Sequence, residues 1–489
     1  MLLFYFKKLR TTPMKLNKQR RQEIIENVEV IDAGAEGNSV AKHNDLVIFI
    51  PFVVPGDIVD VQILKKKKNF AEGKAINFHH YSDKRTEQKC PHFGLCGGCK
   101  WQTMQYEDQL FYKNKQVIDN LQRIGHINCS KAEKIIGSEK TFFYRNKLEF
   151  TFSTKRWLSE EDIKTLERGT NKNGFGFHVP GFFDKVLDIN YCALQREPSN
   201  LIRNFIKDYS QEKQLSYYNI REHIGLLRNL IIRTTSHEDM MIILVFAEES
   251  QEIFPMLDAI AKEFPQITSL MYAINTKFND TLFDQDIICY KGKDHIIEFM
   301  PPFKEGKETL KFKIGPKSFY QTNSEQAYIL YSKAAELADL KEEDILYDLY
   351  TGTGTIANFV APYVKKVVAI ESIEEAITDA KVNSKENSIN NTHFFAGDMA
   401  KILNEDFVKE NGKPDIIITD PPRAGMHPSV VEQLLNIEAK KIIYISCNPA
   451  TQARDVNMLM EKYSVNRIQP VDMFPHTQHV ENIIELCLK

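Results

Sequence analysis

Apolar and polar positions alternate in short runs from about Lys18 to Phe78: VEVIDAG, DLVIFIPFVVPGDIVDVQIL, then FAEGKAINF. A period of two marks half-buried strands, and Gly34, Gly37, Pro55 and Gly56 fall where turns must separate them. The pattern predicts a small closed β-barrel. From Cys90 to about Lys313 it is mixed: strand-like FFYRNKLEFTF, GFGFHV and NLIIRTTSHEDMMIILVFAE alternate with helix-like SNLIRNFIKDY and IFPMLDAIAKEF. After Gly315 it changes again. A helical SEQAYILYSKAAELADL leads into short apolar runs, ILYDLY, VVAIES, THFFA, PDIIIT and KIIYIS, each separated from the next by a helix-length stretch. Such alternation predicts a parallel, doubly wound α/β sheet. The expected organisation is an unassigned extension at 1–16, an OB-like barrel at 17–80, an α+β domain at 81–314 and a Rossmann-like α/β domain at 315–489.

A length of 489 residues agrees with about three domains. A net charge of -3 excludes a globally basic nucleic-acid coat, so charge has to be read locally. Lys65 to Lys68 form one basic run at a strand end; alone it is a solvated hairpin tip, and on an OB-like barrel it suits phosphate. No apolar stretch reaches bilayer length, and the opening MLLFYFKKLR is unlike a signal peptide, so a cytoplasmic location without membrane contact is expected. Met14 is a candidate start. In that compartment eight cysteines do not suggest disulfides. Cys90, Cys96 and Cys99 crowd into CPHFGLCGGC and invite a metal, whereas Cys129, Cys289 and Cys487 are expected to pack in the interior.

The glycine loop DLYTGTGT, Asp348 to Thr355, follows a strand and opens a helix. Gly352 and Gly354 let backbone approach a ligand closely, and Glu371 ends the next strand about 20 residues on, where a carboxylate accepts from both ribose hydroxyls of an adenosine cofactor. Asp398 follows the third strand, at the adenine level. Helix capping is the ordinary role of any one of these acids, but not of the series. The two following strands end in Asp420-Pro421-Pro422-Arg423 and Ser446-Cys447-Asn448-Pro449, with His476, Thr477, His479 and Glu481 near the last pair. Carbon-5 of uracil is too weak a nucleophile to take a methyl group directly. A thiolate adding to carbon-6 makes it reactive, and a base must then remove the carbon-5 proton. Cys447 and Glu481 suit those two tasks.

CPHFGLCGGCKWQ, FYQTN, DLYTGTGT, DPPRAG, YISCNPATQARD and FPHTQHVE, in this order, resemble the RNA uracil-5-methyltransferases, and the likeness runs from the barrel almost to the C-terminus. The resemblance implies S-adenosylmethionine as methyl donor, Cys447 as nucleophile and Glu481 as proton acceptor. It implies cofactor contacts from Gln321, Tyr350, Glu371 and Asp420, with Thr355 and Asp398 as further ones, although Thr351 and Thr355 depart from the Cys and Asn common in relatives. It reads the barrel as a TRAM domain and gives Cys90, Cys96 and Cys99 a fourth partner, Cys192, around a [4Fe-4S] cluster. Zinc is the runner-up, because spacing fixes thiolate count better than metal identity. The cluster and barrel together point to 23S rRNA as partner and to a monomer. A tRNA T-loop uridine is the alternative target. An amino-group methyltransferase would need no cysteine and would end its proline turn in an aromatic rather than Arg423; a non-catalytic iron-sulfur RNA-binding protein would not need Cys447 with Glu481. Phe319 and Tyr320 are candidates for stacking a flipped base, and Arg145 and Lys147 for phosphate, against the plain reading of exposed strand residues.

Overall fold

The structure, a computed structural model, describes residues 23–165 and 172–489. The extension expected at 1–16, with the candidate start Met14, lies outside the described residues. Two compact units form. One comprises the chain up to Ala33 with Asn38–Asp83, the other Gly34–Gly37 with Lys84–Lys489. In the first unit, strands β1 (Ile24–Ala33), β2 (Ser39–His43), β3 (Leu46–Ile50), β4 (Ile58–Lys66) and β5 (Phe70–His80) close into a barrel in the order β1-β2-β3-β5-β4. Val28, Val30, Ala41, Ile48, Ile50, Val59, Val61 and Ala71 fill it, the alternate positions of the sequence pattern. At the β4–β5 tip Lys65 pairs with Glu72 at 3.0 Å and Lys66 with Glu23 at 2.7 Å, while Lys67 lies 5.0 Å from the Phe70 ring centroid. Exposed pairs of this kind contribute little and exchange readily for phosphate.

The second unit opens with helix α1 (Tyr106–Arg123) and a seven-stranded sheet. Its strands are β6 (Lys147–Ser153), β7 (Gly174–His178), β8 (Val186–Asp188), β9 (Leu227–Thr234), β10 (Met240–Phe246), β11 (Ser269–Ile274) and β12 (Ile287–Gly292), in the order β12-β11-β10-β9-β6-β7-β8. Helices α2 (Glu160–Thr165), α3 (Ser199–Glu212) and α4 (Ile253–Glu263) are interspersed. The strand expected over FFYRNKLEFTF starts only at Lys147. Phe143 has a φ of 57°, and the Asn146 backbone and side chain are committed to Thr322 O and Gln321 O, both at 2.8 Å. A hairpin of β13 (Ile296–Met300) and β14 (Leu310–Ile314) precedes α5 (Ser324–Ala338).

The C-terminal sheet consists of β15 (Ile345–Leu349), β16 (Lys366–Glu371), β17 (Thr392–Ala396), β18 (Ile416–Thr419), β19 (Lys441–Ser446), β20 (Tyr463–Val471) and β21 (Glu481–Leu488). Their order is β17-β16-β15-β18-β19-β21-β20. Between them run α6 (Thr355–Val360), α7 (Glu374–Glu386), α8 (Met399–Ile402), α9 (Glu405–Asn411), α10 (Pro428–Ile437) and α11 (Pro449–Leu459). The first five strands are parallel and β21 is antiparallel to both neighbours. This is the doubly wound α/β fold expected from the sequence, its strand order reversing at β15 and β18, where such sheets open a ligand crevice. The carboxyl ends of β15 to β19 and the amino end of β21 therefore share one edge. Among the described residues no helix is long and apolar enough to cross a membrane.

Candidate active site

The glycine loop leaves β15 through Tyr350, a non-glycine residue at φ 64°, a conformation side chains rarely adopt and that clusters at functional sites. Gly352 follows at φ +56°, and a Cβ there would meet nothing within 4 Å, so backbone lies open to an approaching group. Gly354, at φ +74°, is confined instead: a Cβ would come within 2.7 Å of Ala380 Cβ. Glu371 ends β16 beside this loop. One of its oxygens accepts from Gly352 N at 3.1 Å, the other from Ser372 N at 2.7 Å and Ile373 N at 3.1 Å. Asp398 is exposed and caps α8, accepting from Ala400 N at 3.1 Å, which is the capping role open to either acid. Thr355 is buried as the first residue of α6.

The segment Phe319–Asn323 lies against the loop because Thr353 Oγ1 donates to Phe319 O at 3.0 Å. Buried Arg233 of β9 holds its approach, donating to Gly315 O at 3.0 Å and Ser318 O at 2.7 Å. Asn323 caps α5 and donates through Nδ2 to Met473 O at 3.0 Å. Gln321 so fixed stands near Tyr331, a buried α5 residue whose ionisation is held off by burial first and then by the charge of Asp420, with Gln321 opposing. Of the two aromatics in this segment, Phe319 is 65 % exposed, whereas Tyr320 is buried against Phe312 at 6.1 Å. Tyr320 is a core residue, contrary to the stacking role considered from sequence.

β19 ends at Ser446, which pairs with Asn482, so Cys447 just beyond it and Glu481 at the start of β21 stand at one end of the two neighbouring strands, and the Glu481 charge acts on the Cys447 thiol. Gln452 of α11 locks this corner, donating to Tyr444 O at 2.9 Å and Asn482 O at 3.0 Å and accepting from Asn482 Nδ2 at 2.8 Å. Asn448 caps α11 and donates to Arg423 O at 2.9 Å, so the proline turn and the cysteine turn form one wall. Burial pushes the Cys447 thiol up to about 12, the charges of Glu481 and Asp420 adding to it and Arg423 opposing. Glu481 and Asp420 are likewise held well above the ordinary carboxylate range by burial, with their mutual repulsion adding at Glu481. Desolvation with specific charged neighbours, in a crevice, is the electrostatic pattern of reactive groups.

The family model described as tRNA (uracil-5-)-methyltransferase matches residues 284–488, and that of the TRAM domain residues 20–76. An uncharacterized RNA methyltransferase of Bacteroides thetaiotaomicron is 54% identical over 93% of this chain and 100% of its own length. One of Porphyromonas gingivalis is 49% identical over 94% of this chain and 99% of its own. The chain belongs to the RNA uracil-5-methyltransferase family. Among solved structures, the tRNA (uracil-54, C5)-methyltransferase of Pyrococcus abyssi, in complex with S-adenosyl-L-homocysteine, is similar with a TM-score of 0.72 and 27% identity, over 94% of this chain and 100% of that one. The protein is thus an S-adenosylmethionine-dependent RNA methyltransferase with an N-terminal TRAM domain.

Away from the crevice, the methyltransferase brings Cys192 to Cys90, Cys96 and Cys99 around a cavity of about 420 Å³, lined also by Arg145 and Lys147. Among the described residues no group of three or more His, Cys, Asp or Glu is spaced to hold a single metal ion. The thiols lose most of their acidity to burial, which pushes Cys96 up to about 11 and Cys99 up to about 12, with the other cysteines adding. Two buried thiols, Cys99 and Cys192, and two half-buried ones, Cys90 and Cys96, thus share one void with two cations beside them. Arg145 and Lys147, candidates for phosphate contact or plain exposure, are half-buried, and Arg145 lies 5.8 Å from the Phe474 ring centroid. Sequence reasoning passed over Tyr331, Gln452 and the electrostatic part of Arg423. Arg423 and Gln452 lie within the quoted motifs DPPRAG and YISCNPATQARD, whereas Tyr331 sits on a helix that reads as ordinary amphipathic packing.

Proposed function

We propose that the methyltransferase modifies carbon-5 of a uridine in 23S rRNA through a covalent bond between Cys447 and carbon-6. The observation that carries this reading is that Cys447 and Glu481 adjoin the paired Ser446 and Asn482 at one end of β19 and β21, near enough for the charge of Glu481 to act on the thiol. Cys447, as thiolate beside the Arg423 cation, adds to carbon-6; the electrons pass to carbon-5, which attacks the methyl carbon of S-adenosylmethionine and displaces S-adenosylhomocysteine. Glu481 then takes the carbon-5 proton, and elimination restores the ring double bond and expels the Cys447 thiolate. Gln321, Tyr350, Glu371 and Asp420 are proposed to hold the methyl donor, with Thr355 and Asp398 at its margin. Cys90, Cys96, Cys99 and Cys192 are proposed to hold a [4Fe-4S] cluster, which would cross-link the central domain. No step of methyl transfer needs a second copy, and the enzyme is proposed to act as a monomer.

A tRNA T-loop uridine is the second reading. It is favoured by the Pyrococcus abyssi enzyme, whose match spans 94% of this chain although its substrate is tRNA. The test is methyl transfer from labelled S-adenosylmethionine to separately purified ribosomal and transfer RNA from cells lacking the gene, with the position mapped by mass spectrometry. Label as 5-methyluridine in the large ribosomal RNA is expected, and none with Cys447→Ala. Label in tRNA alone would replace the target, and methylation by Cys447→Ala would refute the covalent route.

A further inference from the structure

Helix α1 carries a polar stripe that faces inward. Tyr106, Gln109 and Lys113 stand at i, i+3 and i+7, one face of a helix that continues inward as Val117 and Leu121. Gln109 and Lys113 are both 0% exposed. The stripe grips one segment, Asp472 to His476, which leads into Glu481. Lys113 Nζ donates to Asp472 Oδ1 at 2.6 Å and to Phe474 O at 3.0 Å, and Tyr106 Oη donates to Asp472 Oδ2 at 2.9 Å. Gln109 Oε1 accepts from His476 N at 2.8 Å, while its Nε2 donates to Met104 O at 2.8 Å and Trp101 O at 3.1 Å.

His476 is itself a non-glycine residue at φ 66°, a backbone conformation that persists only where surroundings over-determine it. Its carbonyl accepts from Lys100 N at 2.8 Å and Trp101 N at 3.0 Å, the two residues after Cys99, and Tyr144 Oη donates to Pro475 O at 3.0 Å. The chain then passes the restraint on. Thr477 Oγ1 donates to Phe474 O at 2.8 Å and accepts from His479 N at 3.3 Å, and His479 Nδ1 lies 3.3 Å from Arg423 Nη2. Two residues later comes Glu481. A turn bound on one side by α1 and on the other by the cysteine-bearing segment sets the direction from which the chain enters β21 at Glu481.

We propose that Gln109 and Lys113 are positioning residues for methyl transfer: they lock the left-handed His476 turn and so aim Glu481 at the carbon-5 proton of the Cys447 adduct. This rests on the reading of Glu481 as the base. A network that served stability alone would be indifferent to which chemical step follows, whereas this one acts on proton removal and elimination, after the Cys447 bond has formed.

The test compares wild-type enzyme, Gln109→Met and Glu481→Gln on the same RNA, following the covalent protein-RNA complex on denaturing gels in single-turnover reactions. Gln109→Met keeps the volume and removes the acceptor for His476 N. It is expected to form the adduct within about twofold of the wild-type rate and to resolve it about tenfold more slowly, so that the complex accumulates as with Glu481→Gln. Resolution at the wild-type rate, or equal slowing of formation and resolution, overturns the proposal. If Glu481→Gln accumulates no complex, the assignment of the base falls and takes the proposal with it, a failure read from a different lane. Should Gln109→Met not fold, amide exchange in the wild-type enzyme decides. The His476 and Trp101 amides are expected to exchange with the slow core, and exchange at surface-loop rates overturns the lock.

Discussion

Cys447, the proposed nucleophile, is in the wrong electrostatic company until the charges around it are counted one by one. Burial and the carboxyls of Glu481 and Asp420 disfavour its thiolate, and Arg423 is the cation that opposes them. Removing Arg423 therefore raises the thiol further, and removing the Glu481 charge lowers it. The pH dependence of alkylation by iodoacetamide should shift upward in Arg423→Ala and downward in Glu481→Gln, by about one pH unit each, the size of shift a close charge produces. Shifts of the opposite sign would break this account of the site.

Glu481 and Asp420 titrate above their ordinary range, and the sign has two consequences. As a base Glu481 has to be ionised, so the acid limb of the kcat/KM profile should lie above about pH 6, later than an unperturbed carboxylate would place it. For stability the sign is opposite. A carboxyl whose folded-state pKa exceeds its unfolded value stabilises fully below the unfolded value, and that contribution fades as pH rises through the folded one. Melting temperature should thus decline from about pH 6 to about pH 9 more steeply in wild type than in Glu481→Gln; parallel curves would show that Glu481 is ionised throughout.

At the scale of elements, β21 and α1 matter most. Side chains alternate along a strand, so a one-residue slip of β21 against β19 would turn Glu481 to the other face and leave Cys447 without a base. Gln452 and Asn482 pin that register with buried amide bonds. The Lys113–Asp472 pair fixes α1 to the segment before β21, and neither side chain is exposed. Burial pulls the lysine down while Asp472 holds it up. Lys113→Met leaves a buried carboxylate unpaired, a change that typically costs about 3–5 kcal/mol. Urea denaturation should show that loss, and a loss below about 1 kcal/mol would mean that water reaches Asp472.

On the scale of the whole molecule, three cysteines from one short segment meet a fourth from about 90 residues away at the surface of the central sheet. If they hold a [4Fe-4S] cluster, anaerobically purified protein should contain iron and sulfide, and Cys192→Ser should lose both with a fall in melting temperature of at least about 5 °C, since a bound metal group stabilises only the folded chain. Zinc in their place would support the runner-up. Iron retained at the wild-type level would remove Cys192 from the ligand set.

Periodicity alone predicted the barrel, the mixed central region and the doubly wound sheet, because apolar spacing is a local consequence of which faces a strand or helix must bury. The strand-end motifs likewise singled out Glu371, Asp420 and Cys447, since sequence order delivers each parallel strand's carboxyl end to one edge, and Glu481 joins them from the amino end of antiparallel β21. Other features depend on partners distant in the chain. Tyr320 and Phe319 are neighbours in sequence, yet one is core and the other exposed, a division set by Phe312 and the β13–β14 hairpin. The inward polar stripe of α1 reads as a solvent face until Asp472 and His476 arrive to satisfy it. Sequence by itself determined the architecture and singled out the proposed reactive groups, because those follow from local pattern and strand order. Only the tertiary structure decided which charges face Cys447 and what holds Glu481 in place, because burial and hydrogen bonding between segments more than 300 residues apart exist only once the chain has folded.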